Sequence, residues 1–202
     1  SSAASDVYKR QGQGDPALFQ DITGLPDGKS WIGIAPFAAH RGKILPASTT
    51  ETLIARLAER TDCRVFLFGG GKAETPQLEQ WATTYPNVTS LAGKLKLNQE
   101  LALMSHLQVM VSMDSANMHL ASLTATPVVS VWGATHPHAG FMGWHQSIDN
   151  AVQTNLPCRP CSVFGNKPCR RGDYACLTAI QAEDIIRKID SIIHQPKKKN
   201  NA

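Results

Sequence analysis

Residues 109–135 read VMVSMDSANMHLASLTATPVVSVWGAT. The apolar run from Val109 to Met113 predicts a buried strand, and the small polar turn 114–117 leads from it directly into a helical pattern. A second apolar run, from Val128 to Trp132, ends in the turn 133–135. Two buried strands with polar residues at their carboxyl ends are typical of an open parallel sheet, in which ligands bind at that edge.

The polar residues of these two turns suit a nucleotide-sugar. The backbone amides of Ser115, Ala116 and Asn117 would open the helix, where unpaired N–H groups and the positive end of the helix dipole favour a phosphate. The Asp114 carboxylate can accept hydrogen bonds from sugar hydroxyls, and Thr135 ends the neighbouring strand at the same edge. A helix N-cap is a second, compatible interpretation of Asp114.

The rest of the chain alternates strand and helix patterns. Strands are predicted at 31–36, 63–68 and 88–91, and helices at 48–60, 76–83, 98–106 and 178–194. The helix starts are inferred from a capping box at 48–51, an N-cap at Asn98 and a second capping box at 178–181. Repeated strand–helix units predict an α/β fold, a Rossmann-like parallel sheet with helices on both faces.

Length and composition suit one globular domain, since the chain has 202 residues and 42% of them are hydrophobic. No apolar run is long enough to span a membrane, and no secretory signal pattern is visible. The net charge is +4, but most of it comes from three lysines at 197–199, so the body of the chain is nearly neutral. We therefore expect no nucleic-acid partner.

Three segments follow from these patterns. Residues 1–14 lack apolar periodicity, and SSAASDVYKRQ resembles translated adapter sequence, so we expect a non-native or disordered leader there. Residues 15–195 are the expected nucleotide-sugar-binding domain, which includes a cysteine-rich loop at 157–177. Residues 196–202 form a polar basic tail, which is either a solvated end or a segment that contacts an anionic membrane through its charge.

The segment VSMDSANMHLASLTATPVVSVWGATHP, residues 111–137, resembles the signature of glycosyltransferase family 9, the heptosyltransferases of lipopolysaccharide core synthesis. Ala116 and Asn117 stand where the family usually has Gly-Pro, and a weaker likeness extends from about Trp31 to about His194. The resemblance implies the C-terminal, donor-binding half of a glycosyltransferase B fold. It also implies inverting transfer of heptose or a related sugar from an ADP-sugar donor to a lipopolysaccharide-core or similar glycan acceptor.

Three further loops resemble donor-binding segments of the family. APFAAHRGKILP, residues 35–46, places Lys43 where the family has a lysine that contacts the donor diphosphate, and a solvated surface lysine is the alternative. GGGKAE, residues 69–74, places Glu74 near the ribose, or simply at a helix start that favours negative charge. LAGKLKL, residues 91–97, would pass the adenine ring, with Leu95 or the stem of Lys94 over its face.

The resemblance also bears on catalysis and partners. The family's general base and acceptor site belong to an N-terminal domain, and too few residues precede Trp31 to build one. We therefore expect a donor-binding fragment that is inactive alone and contacts its glycan-lipid acceptor through the other domain. No cofactor is implied for the chemistry, and the expected location is cytoplasmic, with peripheral association at the inner face of the membrane. Two other functions stay open for this chain: a transferase or epimerase that uses another nucleotide-sugar, and a non-catalytic nucleotide-binding module.

Four cysteines, Cys158, Cys161, Cys169 and Cys176, lie outside these donor motifs. A C-x2-C pair followed by two more cysteines in a basic, Pro- and Gly-rich loop suits one tetrahedral structural zinc ion. Disulfides and free thiols stay open as alternatives, although a cytosolic location disfavours disulfides. His119, within the helix after the first turn, is expected to be a structural, hydrogen-bonded histidine and not a catalytic one.

Overall fold

The computed structural model describes residues 12–194, so the predicted basic tail and most of the predicted leader lie outside the described residues. The strands are β1 (Ser30–Ala35), β2 (Cys63–Leu67), β3 (Val88–Ser90), β4 (Val109–Met113), β5 (Val128–Trp132) and β6 (Ala151–Gln153). The α-helices are α1 (Gln20–Thr23), α2 (Ala47–Ala58), α3 (Thr75–Thr84), α4 (Leu97–Met104), α5 (Ala116–Leu123), α6 (Ala175–Thr178) and α7 (Ala182–Ile193). Short 3-10 helices cover Pro16–Leu18, Arg41–Lys43, Pro137–Ala139 and Ile148–Asn150. Over residues 12–194, no helix has the length and apolar character needed to cross a membrane.

All neighbouring strands run parallel, in the order β3-β2-β1-β4-β5-β6. Helices α2, α3 and α7 contribute to one core cluster, and α4 and α5 contribute to the other. The predicted fold class, a Rossmann-like parallel sheet with helices on both faces, is therefore confirmed. The strand order reverses between β1 and β4, and a crevice opens at the carboxyl ends of strands where such a reversal occurs.

The central strands are buried on both faces, as a parallel sheet covered by helices requires. Ile34 and Val111 belong to one core cluster, whereas Trp31 and Met110 from the same two strands belong to the other. On α7, Ile185 and Ile189 are fully buried and form the apolar face that packs on the sheet. Because most side chains of the strands are apolar and buried, the polar groups that can bind a ligand lie in the loops that follow the strands.

Three predicted helix starts are wrong in detail, although the helices are present. Helix α2 begins directly after Pro46, which occupies the N-cap position without a side-chain hydrogen bond. At α4 and α7 the N-cap residues are Lys96 and Gln181, whose backbone N–H groups donate to the side chains of Gln99 and Asp184. At α4 and α7 the side chain three residues after the N-cap thus supplies the cap contact, so the predicted caps Asn98 and Thr178 are not needed there.

Strand β6 was not predicted from the sequence. It has three residues, pairs with β5 from Ser130↔Ala151 to Trp132↔Gln153, and buries Val152 alone. A segment of this length carries too little alternation of apolar and polar residues to be distinguished from a loop. Its position matters because it covers the free side of β5 and so fixes the strand from which Thr135 extends.

Candidate functional site

A cleft of about 540 Å³ opens at the carboxyl edge of the sheet, where β1 and β4 lie side by side. Its walls come from the segments after β1, β2 and β4, with one residue from beyond β5. The lining residues are Phe37, Ala38, Ala39, Lys43, Phe68, Gly69, Glu74, Asp114, Ser115, Ala116, Asn117, His119 and Phe141. Lys43, Glu74 and the whole predicted turn 114–117 therefore meet in one place.

Asp114 and Lys43 form the charged centre of the cleft. Asp114 follows β4, is only 4% exposed, and its Oδ2 lies 2.9 Å from Lys43 Nζ. The same Oδ2 accepts a 2.8 Å hydrogen bond from Oγ1 of Thr135, which is fully buried after β5. Thr135 thus lies behind Asp114 and does not line the cleft itself. The two contacts compensate for the burial of the carboxylate and hold it in one orientation.

The amino end of α5 lies beside this centre. Ser115 occupies the N-cap position, but its side chain makes no cap hydrogen bond and instead lies 3.2 Å from the Ser112 hydroxyl. The N-cap is therefore Ser115 and not Asp114, the second interpretation of that residue. The Asp114 carboxylate instead contacts Thr135 and Lys43. Ala116 and Asn117, the first residues of the helix, line the cleft. Backbone N–H groups at a helix start, together with the helix dipole, suit this point to an anion such as phosphate.

Glu74 reaches the cleft from the opposite side, after β2. It occupies the N-cap position of α3, and its Oε2 accepts a 2.9 Å hydrogen bond from the backbone N–H of Gly70. Gly69 precedes this contact with φ +151°, and a Cβ there would lie 2.9 Å from the same carboxylate oxygen. Glycine at this position therefore lets the Glu74 carboxylate fold back over the turn while it still lines the cleft.

Lys94 and Leu95, predicted to cover the adenine ring, do not line this cleft. Lys94 Nζ lies 3.0 Å from Glu79 Oε1 on α3, and this hydrogen-bonded partner lowers the pKa of Glu79 below its ordinary value. Leu95 is half-buried and packs against the core cluster formed with α4 and α5. The ion pair across the gap between α3 and this loop explains the position of Lys94, and its role toward a base stays a prediction.

His119 and two phenylalanines were not predicted as site residues. His119 is exposed and lines the cleft one turn into α5, so the structure does not place it in the structural, hydrogen-bonded role that was predicted for it. Phe37 lines the cleft after β1 and stacks on Trp81, with ring centroids 6.2 Å apart. Phe37 lies in the loop 35–46, which the resemblance assigned to donor binding through Lys43 alone. Phe141 had no signal in the sequence, because it lies in an irregular segment.

The cysteine-rich loop does not present a formed metal site. Within the described part of the chain, no three His, Cys, Asp or Glu side chains come close enough together to hold a metal ion. Cys158, Cys161 and Cys169 are half-buried free thiols, and Cys176 is a buried one at the start of α6. Burial raises the pKa of the Cys176 thiol. The structural zinc ion therefore stays a prediction from cysteine spacing, and no step of the chemistry is assigned to it.

The cysteine-rich loop nevertheless packs directly on the cleft residues. Gly165 lies against the Lys43 side chain, since a Cβ on Gly165 would be 2.8 Å from Lys43 Cγ. The backbone N–H of Cys161 donates to the carbonyl of Ala134, next to Thr135, at 2.9 Å. The loop therefore supports both residues that contact the Asp114 carboxylate.

Comparisons with known proteins point to one family. Residues 5–170 match the family model described as Glycosyltransferase family 9 (heptosyltransferase). A lipopolysaccharide heptosyltransferase 3 from Escherichia coli strain K12 is 31% identical over 196 residues, which cover 95% of this chain and 53% of that protein. The chain spans about half the length of the curated relatives it matches.

Solved structures share the fold at lower identity. The ADP-heptose LPS heptosyltransferase II of E. coli superposes with a TM-score of 0.66 at 17% identity, covering 96% of this chain and 52% of that one. The E. coli heptosyltransferase WaaC, solved with ADP-2-deoxy-2-fluoro heptose, gives 0.60 at 23% identity, covering 90% and 50%. The family model covers most of the chain and includes the strand ends that build the cleft, so this chain belongs to glycosyltransferase family 9.

Proposed function

We propose that this chain binds an ADP-activated heptose or a related sugar and forms the donor-binding half of a glycosyltransferase. One observation carries the proposal: Lys43, the amino end of α5 and the Asp114 carboxylate meet in one cleft at the strand reversal. Cation and amide donors next to a fixed carboxylate suit a ligand with a diphosphate beside sugar hydroxyls. Two proteins that share this fold, E. coli WaaC and the heptosyltransferase TibC, were solved with ADP-heptose compounds, which supports the choice of donor.

Each group of the cleft has a distinct part in this proposal. Lys43 and the amides of 115–117 hold the diphosphate, which is the leaving group when the sugar is transferred, and they stabilise its charge. Asp114 accepts hydrogen bonds from sugar hydroxyls through Oδ1, because Thr135 and Lys43 both use Oδ2. Glu74, which lines the other side of the cleft, accepts hydrogen bonds from the ribose hydroxyls in this proposal.

The acceptor half of the reaction is assigned to the rest of a longer protein. Because the chain spans about half of its curated relatives, we place the general base and the glycan-lipid acceptor site in residues outside this sequence. The relatives' names refer to lipopolysaccharide, which is attached to a membrane, so we propose action in the cytoplasm with peripheral contact at the inner membrane face. This chain alone should then bind the donor without transferring its sugar.

The donor can be tested by calorimetric titration of the chain with ADP, UDP, GDP and adenosine. ADP should bind more tightly than adenosine, because only ADP offers phosphates to Lys43 and α5, and more tightly than UDP or GDP. A preference for UDP would replace the proposed donor with another nucleotide-sugar. Equal affinity for ADP and adenosine would contradict the assignment of the diphosphate to this cleft.

A further inference from the structure

Arg159, between the first two cysteines of the cysteine-rich loop, makes a set of contacts that the proposed function does not use. Its Nε donates to the carbonyl of Gly133 at 2.5 Å, and its Nη2 donates to Thr135 at 2.9 Å and Trp132 at 3.3 Å. Its Nη1 donates to the carbonyl of Thr154 at 2.5 Å. One guanidinium therefore joins the end of β5, the turn after it and the segment after β6.

All four of these acceptors are neutral carbonyl oxygens. Arg159 is half-buried, and none of the ion pairs found among residues 12–194 includes it. Partial burial of a cation without a carboxylate costs free energy that carbonyl dipoles offset only in part. The planar fork of the guanidinium, however, holds several carbonyls in fixed relative positions, which a flexible ammonium group cannot do.

Thr135 links this contact to the cleft. Its carbonyl accepts from Arg159, while its hydroxyl donates to Asp114 Oδ2, the oxygen that Lys43 Nζ also contacts. Arg159 itself does not line the cleft. We propose that Arg159 is a positioning residue for the donor diphosphate. Arg159 acts through Thr135 and keeps the Asp114 carboxylate and the Lys43 ammonium group in fixed relative positions.

This inference rests on the proposed function, since it assumes that the diphosphate binds at Lys43. Arg159 can affect binding without touching the ligand, because the groups that contact a ligand must be held close to the required geometry by neighbouring residues. If the turn after β5 relaxes, Thr135 moves, and the carboxylate that orients Lys43 loses one of its two fixed contacts. The affinity for adenosine should not change, because adenosine has no phosphates that contact Lys43.

The test compares three variants of this chain. Arg159→Ala removes the fork, Arg159→Lys keeps the charge but cannot hold several carbonyls, and Arg170→Ala is the control, because Arg170 is an exposed arginine of the same loop. Calorimetry with ADP and with adenosine measures binding, and thermal melting measures folding. Arg159→Ala should weaken ADP binding about tenfold without changing adenosine binding, Arg159→Lys should resemble it, and Arg170→Ala should match the parent.

A double-substitution cycle distinguishes positioning from a general loss of structure. Thr135→Val removes the hydroxyl and keeps the carbonyl, so it cuts the link between Arg159 and Asp114. In the Thr135→Val background, Arg159→Ala should then cause little further loss of ADP affinity. Fully additive losses would overturn the proposal, and so would complete rescue of ADP binding by Arg159→Lys, which would indicate charge alone.

The outcomes separate this inference from the proposed function. If the parent chain bound ADP and adenosine equally, the proposed function would fail. If the parent preferred ADP and folded Arg159→Ala kept the same preference, only the role of Arg159 would be wrong. Should Arg159→Ala not fold, Arg159→Lys carries the comparison, and an ADP-to-adenosine preference equal to that of the parent overturns the proposal.

Discussion

The ammonium group of Lys43 lies 2.9 Å from the carboxylate of Asp114, although the two residues follow different strands, β1 and β4. Their contact forms at the point where the strand order reverses, and Thr135 fixes the same carboxylate oxygen from β5. A cation held in place before a ligand arrives loses little side-chain freedom on binding a phosphate.

Replacing Lys43 by Ala should weaken ADP binding by about 1–3 kcal/mol, the usual cost of losing a hydrogen bond to a charged group. Adenosine binding should stay as it is, because adenosine carries no phosphate. Calorimetry measures both affinities. Lys29→Ala is the matched control, since Lys29 is exposed directly before β1, at the opposite edge of the sheet. Parallel losses of ADP and adenosine affinity in Lys43→Ala would show that the cleft had been disrupted in general.

Asp114→Asn should weaken binding of the donor sugar more than binding of the diphosphate. Asparagine can still accept the hydrogen bond from Thr135, but it carries no charge for Lys43 or for sugar hydroxyls. The affinity for ADP-heptose should fall by about tenfold relative to the affinity for ADP. Competition titration gives this ratio directly. An unchanged ratio would mean that Asp114 does not contact the sugar.

Gly165→Ala should weaken ADP binding through steric contact with Lys43. A Cβ at Gly165 would lie 2.8 Å from Lys43 Cγ and 3.1 Å from its Cε, so the lysine side chain would have to leave its present position beside Asp114. Gly165 also has φ +72°, a backbone conformation that costs an alanine about 1 kcal/mol of folding free energy.

Gly172→Ala provides the comparison for this variant. Gly172 lies in the same loop with φ +79°, but nothing lies within 4 Å of a Cβ built on it. Both variants should therefore melt at a lower temperature, whereas only Gly165→Ala should bind ADP more weakly than the parent. Equal ADP affinities in the two variants would exclude a role for the Gly165–Lys43 contact.

The cysteine spacing predicts one structural zinc ion per chain. Elemental analysis of protein purified without added metal should find about one zinc ion per chain, since four thiolates are the usual set for such a site. The combined Cys158→Ser and Cys161→Ser variant should lose it, and Cys63→Ala, in β2, should keep it. Titration of four loop thiols in native, metal-free protein with unchanged melting would contradict the prediction.

Asp62, which does not line the cleft, should contribute to the pH dependence of the free energy of unfolding. Hydrogen bonds from Arg60 hold the pKa of Asp62 below its ordinary value of 3.8. A depressed folded-state pKa stabilises the protein above the unfolded-state value, and this contribution is lost as the pH falls through the folded-state pKa. Because the Asp62 side chain is 58% exposed, solvent screening limits the contribution to less than about 1 kcal/mol.

Urea unfolding of Asp62→Asn measures this contribution. The variant should be slightly less stable than the parent at neutral pH, and the difference should shrink once the pH falls below 3.8. Asp149→Asn, which changes an exposed carboxylate, should not alter the free energy of unfolding. A stability difference between Asp62→Asn and the parent that grows at low pH would contradict a depressed folded-state pKa for Asp62.

Local patterns in the sequence were sufficient to predict most of the strands and helices. The apolar runs of β4 and β5 and the polar turns after them identified Asp114, Ser115 and Thr135, because strand and helix periodicities are local properties. The resemblance added Lys43 and Glu74, which the structure brings to the same cleft. Cap positions and the three-residue β6 were missed, since several residues near a helix start can supply its cap contacts and a short strand carries little pattern.

Contacts between distant residues depended on the tertiary structure. Sequence alone determined which loops end at the carboxyl edge of a parallel sheet, but strand order determined that Lys43 meets Asp114. Packing of the cysteine-rich loop placed Gly165 on Lys43 and Arg159 on the carbonyl of Thr135. The physical reason is that periodicity and turn chemistry are encoded within a few neighbouring residues, whereas these contacts form only after the sheet is assembled and its loops are packed against one another.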